Sequence, residues 1–204
     1  MFVENYLGVT LDYDYLSNDH RYLGMTIFND TNQLPIWVPE HGEAEYREVS
    51  AGTIIIDTYL EEVGNEGRRN YTLGHESWHW IGHQGYFSYN PNQMSLFEGN
   101  NEPFIQCRDI MTHRNIPSRT ETWDKQKWME WQADVFSAAF LMPKESVRIL
   151  VAKNFSLPIS DLINMVSFYF RVSKTAAKYR LIDLGIIKEE SYDIVFSRKS
   201  VFDY

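Results

Sequence analysis

The sequence predicts a small α+β domain: a short mixed sheet, one buried central helix and a helical C-terminal part. Three observations carry this. Residues 51–57 centre on Ile54, Ile55 and Ile56, and a run of β-branched residues marks a strand buried on both faces. Residues 68–84 are apolar nearly all round a helical repeat, as a buried helix is. From Pro143 onward, capping residues and a glycine stop recur at helical spacing. We divide the chain into a core, residues 1–143, and a helical subdomain packed on it, residues 144–204.

Composition narrows the function classes. Apolar residues make up 44% of the 204, enough for a sizeable core, so disorder is not expected. The net charge of -9 would repel a phosphate backbone and argues against direct nucleic-acid binding. Cys107 is the sole cysteine, so an internal disulfide is excluded and a reducing compartment fits. No apolar run approaches the ~18 residues that span a bilayer. No basic region followed by an apolar stretch opens the chain. The expected location is cytoplasmic, with no membrane partner.

Taken in order, the first fifty residues read as a short helix followed by strands. Residues 16–23 are turn-like, 24–28 form a strand, and 29–32 turn by their Asn and Asp content. Residues 34–38 are extended and at an edge, because Pro35 cannot donate to a ladder. The strand at 51–57 follows, then a loop at 61–67 with Gly64 and Gly67, then the helix at 68–84. Residues 85–122 are rich in Asn, Pro and Gly and read as a long irregular segment shaping a cleft or a lid. His113, Arg114 and Arg119 lie there. A second apolar helix begins near Trp128 and stops at Pro143. Three helices follow: 144–154, 161–170 capped by Ser160, and 174–184 capped by Ser173 and closed by Gly185 with Ile186 behind it. The last two resemble a helix-turn-helix with a modest basic face of Lys174, Lys178 and Arg180. Residues 191–204 read as a strand or an arm.

The chemistry concentrates at His75-Glu76-Ser77-Trp78-His79. Positions i and i+4 share one helix face, one turn apart, so both imidazoles reach one metal ion. Glu76 lies about 100° around the helix, where a carboxylate serves a water without ligating the metal. This is the H-E-x-x-H pattern of zinc peptidases. His83 continues the series, but three ligands on successive turns would span about 12 Å, too far for one ion. It reads as a rim residue. On the second helix Glu130, Asp134 and Ser137 share one narrow sector among apolar neighbours. Two carboxylates there repel each other unless a cation or proton donors lie between them. Glu130 completes a His-His-Glu ligand set, and Asp134 holds a ligating imidazole by its other N–H.

Together, residues 68–79 and the run Glu130-Trp131-Gln132-Ala133-Asp134 through Leu141-Met142-Pro143 resemble the ImmA/IrrE family of metallo-endopeptidases. Residues 52–57 and 172–186 resemble it too. The resemblance implies a gluzincin-like zincin fold. It implies zinc, or another divalent metal such as Mn2+, held by His75, His79 and Glu130, with Glu76 as the base. It also implies a protein substrate, a helix-turn-helix repressor cut to relieve repression. Asp134 departs from the family's usual asparagine, and Trp78 adds bulk that would narrow the cleft. Tyr86, Tyr89, His113 and Tyr169 are oxyanion candidates by residue type alone. The alternatives are a DNA-binding or zinc-sensing regulator using the C-terminal helices, and a zinc-binding scaffold without peptidase activity.

Overall fold

Ile54, Ile55 and Ile56 sit at the middle of the sheet because alternation sends them to two different cores. The computed structural model describes residues 2–87, 104–108, 124–189 and 194–196. After a short helix α1 (Phe2–Leu7), the chain makes β1 (Thr10–Asp14) and β2 (Tyr22–Ile27). Strand β5 (Thr53–Asp57) lies between them, parallel to β1 and antiparallel to β2. On the far side of β2 lies β6 (Phe104–Arg108), also antiparallel, so the order is β1-β5-β2-β6. A separate ribbon of β3 (Thr31–Val38) and β4 (Glu43–Val49) covers one face. Its Leu34, Ile36 and Val49 pack with Met25, Ile27 and Ile55. On the other face Ile54 and Ile56 pack with Leu23, Leu60, Leu73 and Trp80. The mixed sheet and the double burial of residues 53–57 agree with the sequence.

Four local features differ from expectation. Strand β4 is not legible because Glu43, Glu45, Arg47 and Glu48 make it read as surface. It is a ribbon strand with little burial, and Arg47 reaches across to Asp12 and Asp14 on β1. Strand β6 falls inside the segment read as irregular, and its backbone pairs with β2. The motif helix also runs on past residue 84: α2 (Glu66–Trp78), a π-helical turn (His79–His83) and α3 (Gln84–Phe87) follow without a break. Phe87 anchors that extension by packing on Phe28 and Ile105. Ser160 is not a cap, since helix α6 (Ile159–Phe170) starts one residue earlier, after Pro158. His113, Arg114, Arg119 and Tyr89 lie outside the described residues.

Helix α4 (Lys125–Leu141) is opened by Asp124, whose side chain accepts from the Lys127 N–H. Helix α5 (Lys144–Ala152) follows Pro143, and α7 (Lys174–Asp183) follows α6. Ser173 caps α7 by accepting from the Ala176 N–H, and Gly185 takes φ +67° at its end. The Ile186 N–H closes the turn on the Leu181 carbonyl. A hairpin of β7 (Ile187–Glu189) and β8 (Ile194–Phe196) ends the described chain. One buried cluster joins these helices to the rest. Val147, Leu162, Val166, Leu181 and Ile186 share it with Ala138 and Met142 of α4 and Tyr71 of α2. The Arg180 Nε–H donates to the Met142 carbonyl at the seam. Among the described residues, no helix is long and apolar enough to cross a membrane.

Candidate metal centre

Helices α2 and α4 approach closely because small residues face each other. A Cβ on Gly74 would come within 2.7 Å of Ser137 Oγ, and that hydroxyl donates to the Tyr71 carbonyl at 2.8 Å. At this contact the two halves of the sequence pattern meet. One ligand atom from each of His75, His79 and Glu130 lies within 4.8 Å of the others. The Nε2 atoms of His75 and His79 are 2.9 Å apart. Glu130 Oε2 is 3.2 Å from His75 Nε2, and Oε1 is 3.6 Å from His79 Nε2.

The donor set fits a divalent cation. The Nδ1–H of His75 donates to Asp134 Oδ1 at 3.1 Å, because a carboxylate only accepts. In the neutral ring this leaves Nε2, on the inner side, with the lone pair. Burial holds the His79 imidazole well below its usual range, with His75 and His83 adding to the effect, so that ring is neutral. Both Glu130 oxygens are buried without a hydrogen-bond partner among the described residues. Leaving a buried carboxylate so costs about 1–3 kcal/mol or more. A tetrahedral ion with arms of about 2.0–2.2 Å spaces its ligand atoms about 3.3–3.5 Å apart. The His75–His79 separation of 2.9 Å, and the separations of 3.2 Å from His75 to Glu130 Oε2 and 3.6 Å from His79 to Glu130 Oε1, lie close to that spacing.

Around this group, Asp134 is braced from behind, with the Tyr71 hydroxyl 3.1 Å from its carbonyl oxygen and 3.4 Å from Oδ1. His83 stands outside the group: its Nδ1 faces His79 Nδ1 at 2.9 Å and its Nε2 faces Gln132 Oε1 at 3.0 Å. Burial lowers the His83 pKa, and the Gln132 hydrogen bond opposes that shift. Glu76 is not one of the three. It is fully buried on the sheet side of α2, where the Thr26 hydroxyl donates to its Oε2 at 2.6 Å. Gly24 on the same strand makes room, since a Cβ there would lie 2.7 Å from Glu76 Oε1. Trp78 stacks on Phe136 of α4 at 4.7 Å, so its bulk is taken up along that helix. Of the oxyanion candidates, Tyr169 is exposed on α6 and Tyr86 half-buried on α3.

No family model matches this chain, and no curated protein is significantly similar to it. Sequence reasoning missed Thr26, Gly24 and Gln132. Thr26 carried a signal, as a polar residue between the apolar Met25 and Ile27 of a buried strand. Gln132 carried one as a polar residue flanking an apolar helix, and His83 as the next step of the histidine series. Gly24 had none, because a close approach across the sheet is invisible until α2 is placed.

Proposed function

We propose that the chain is a zinc-dependent endopeptidase with a gluzincin-like zincin core, acting on a helix-turn-helix repressor. The observation that carries the chemistry is the convergence of His75 Nε2, His79 Nε2 and the Glu130 carboxylate, with both Glu130 oxygens lacking hydrogen-bond partners among the described residues. Those three residues hold the metal, zinc by donor type, with Mn2+ the other candidate. A zinc ion at such a site lowers the pKa of water and polarises a carbonyl.

The chain's own residues do the rest. Asp134 keeps the His75 proton on Nδ1 and so keeps Nε2 available. Glu76 acts as the base: it takes a proton from the attacking water and delivers it to the leaving amide nitrogen. Thr26 restrains that carboxylate through Oε2, and Gly24 leaves it space. The substrate class rests on the family resemblance of residues 68–79 and 130–143.

The regulator alternative draws on the α6–α7 pair. Of its basic residues Lys174, Lys178 and Arg180, the last is already engaged: its Nε–H donates to the Met142 carbonyl at the end of α4. The test is incubation of the zinc-loaded chain with a helix-turn-helix repressor encoded beside it. Cleavage by wild type and none by Glu76→Gln, with equal zinc content, is expected. Cleavage by Glu76→Gln at the wild-type rate would remove Glu76 from the mechanism.

A further inference from the structure

If the His75, His79 and Glu130 group holds a metal, as proposed above, His79 must keep its Nε2 lone pair turned inward. Its proton must then sit on Nδ1. That nitrogen meets another imidazole nitrogen, His83 Nδ1, at 2.9 Å. Two ring nitrogens bond only when one carries the proton and the other a lone pair. His83 Nδ1 is therefore the acceptor, and a neutral His83 carries its own proton on Nε2. Gln132 Oε1 stands 3.0 Å from that Nε2, where it accepts.

Once the first direction is set, the others follow: His79 Nδ1–H to His83 Nδ1, then His83 Nε2–H to Gln132 Oε1. Reversed, the Gln132 amide would donate to His83, and His83 to His79. The His79 proton would then lie on Nε2, facing the His75 Nε2 lone pair at 2.9 Å; the metal-free protein admits that arrangement, and a bound cation excludes it. The His79–His83 turn is π-helical, a distortion found mostly as single turns and frequently at functional sites. Phe136, one turn beyond Gln132 on α4, stacks on Trp78 and fixes the two helices where the relay crosses between them. We propose that His83 and Gln132 are positioning residues: they hold His79 in the tautomer whose Nε2 lone pair faces the metal site. They do with a neutral relay what Asp134 does for His75.

The test is the Zn2+ affinity of the full chain, measured by competition with a chromophoric chelator. Gln132 is exposed at the relay's outer end, so its variants are expected to fold, and thermal unfolding checks each one. Gln132→Leu removes the acceptor and is expected to weaken Zn2+ binding about 10–100-fold. His83→Phe is expected to do the same. Gln132→Glu keeps an acceptor and is expected to bind as tightly as wild type or tighter. Long-range 1H–15N spectra of the zinc-loaded wild type should show His83 protonated on Nε2 with a bare Nδ1. Equal affinities for the Leu and Glu variants, or a His83 proton on Nδ1, would overturn the relay. Cleavage separates this from the peptidase reading. A chain that cleaves but is indifferent to residue 132 loses only the relay. A chain that shows the affinity pattern but cleaves no repressor loses only the peptidase.

Discussion

The two imidazoles of the centre present the same inner nitrogen but are held from outside in different ways. His75 donates to a carboxylate, Asp134, with the Tyr71 hydroxyl beside it. His79 meets a second imidazole, and its chain of contacts ends on the amide of Gln132. A carboxylate fixes the tautomer and also raises the basicity of the ligand. A neutral relay fixes the tautomer alone. In the proposed arrangement the two sides share a proton direction and differ in charge. The His75 side should therefore contribute more to metal affinity than the His79 side.

The largest expected effect is loss of the proposed ligands themselves. His79→Ala should leave a chain without stoichiometric zinc, read by elemental analysis after gel filtration, and His75→Ala should match it. Next comes the outer contact that carries charge. Asp134→Ala should cost about 10–100-fold in Zn2+ affinity, more than Gln132→Leu, with Asp134→Asn in between because it keeps an acceptor. If Gln132→Leu costs more than Asp134→Ala, the ranking of the two sides is wrong.

Gly24→Ala separates the proposed base from the proposed metal ligands. The added Cβ would crowd Glu76 Oε1 at 2.7 Å, so repressor cleavage should fall sharply while zinc content stays at wild type. Loss of zinc in that variant would mean that the strand supports the ligands as well. Gly74→Ala presses on Ser137 at the α2–α4 contact and should destabilise the fold by about 1–3 kcal/mol in urea unfolding.

The smallest effect is on pH dependence. Burial lowers the pKa of both His79 and His83 in the metal-free protein. Below the ordinary histidine value of about 6.5 the unfolded chain then binds more protons than the folded one. Their contribution to stability is present above that pH and lost as the pH falls below it. Tm of the metal-free chain should fall from pH 7 to pH 5, and more shallowly in His83→Phe. Equal slopes would show that His83 takes no part.

What could be read from the sequence was whatever depends on periodicity. His75 and His79 at i and i+4 needed only the helical repeat, and so did Glu130 with Asp134 on one sector of α4. The three isoleucines announced a doubly covered strand, and the ribbon and α2 do cover it. What stayed hidden depends on placing one element against another. Strand β1 carries Asp12 and Asp14, and β4 carries alternating charges, so neither looks like a strand until its pairing is seen. The partnership of Thr26 with Glu76 spans fifty residues of sequence and crosses from sheet to helix. Helix rise alone keeps His83 out of the proposed ligand set, but its contact with Gln132 depends on the crossing of α2 and α4.

The most direct measurement is zinc stoichiometry across three proteins carried through the same chelator treatment and reloading. One zinc per chain is expected in wild type and in Glu76→Gln, and none in His75→Ala/His79→Ala. Stoichiometric zinc in the double variant would contradict that expectation.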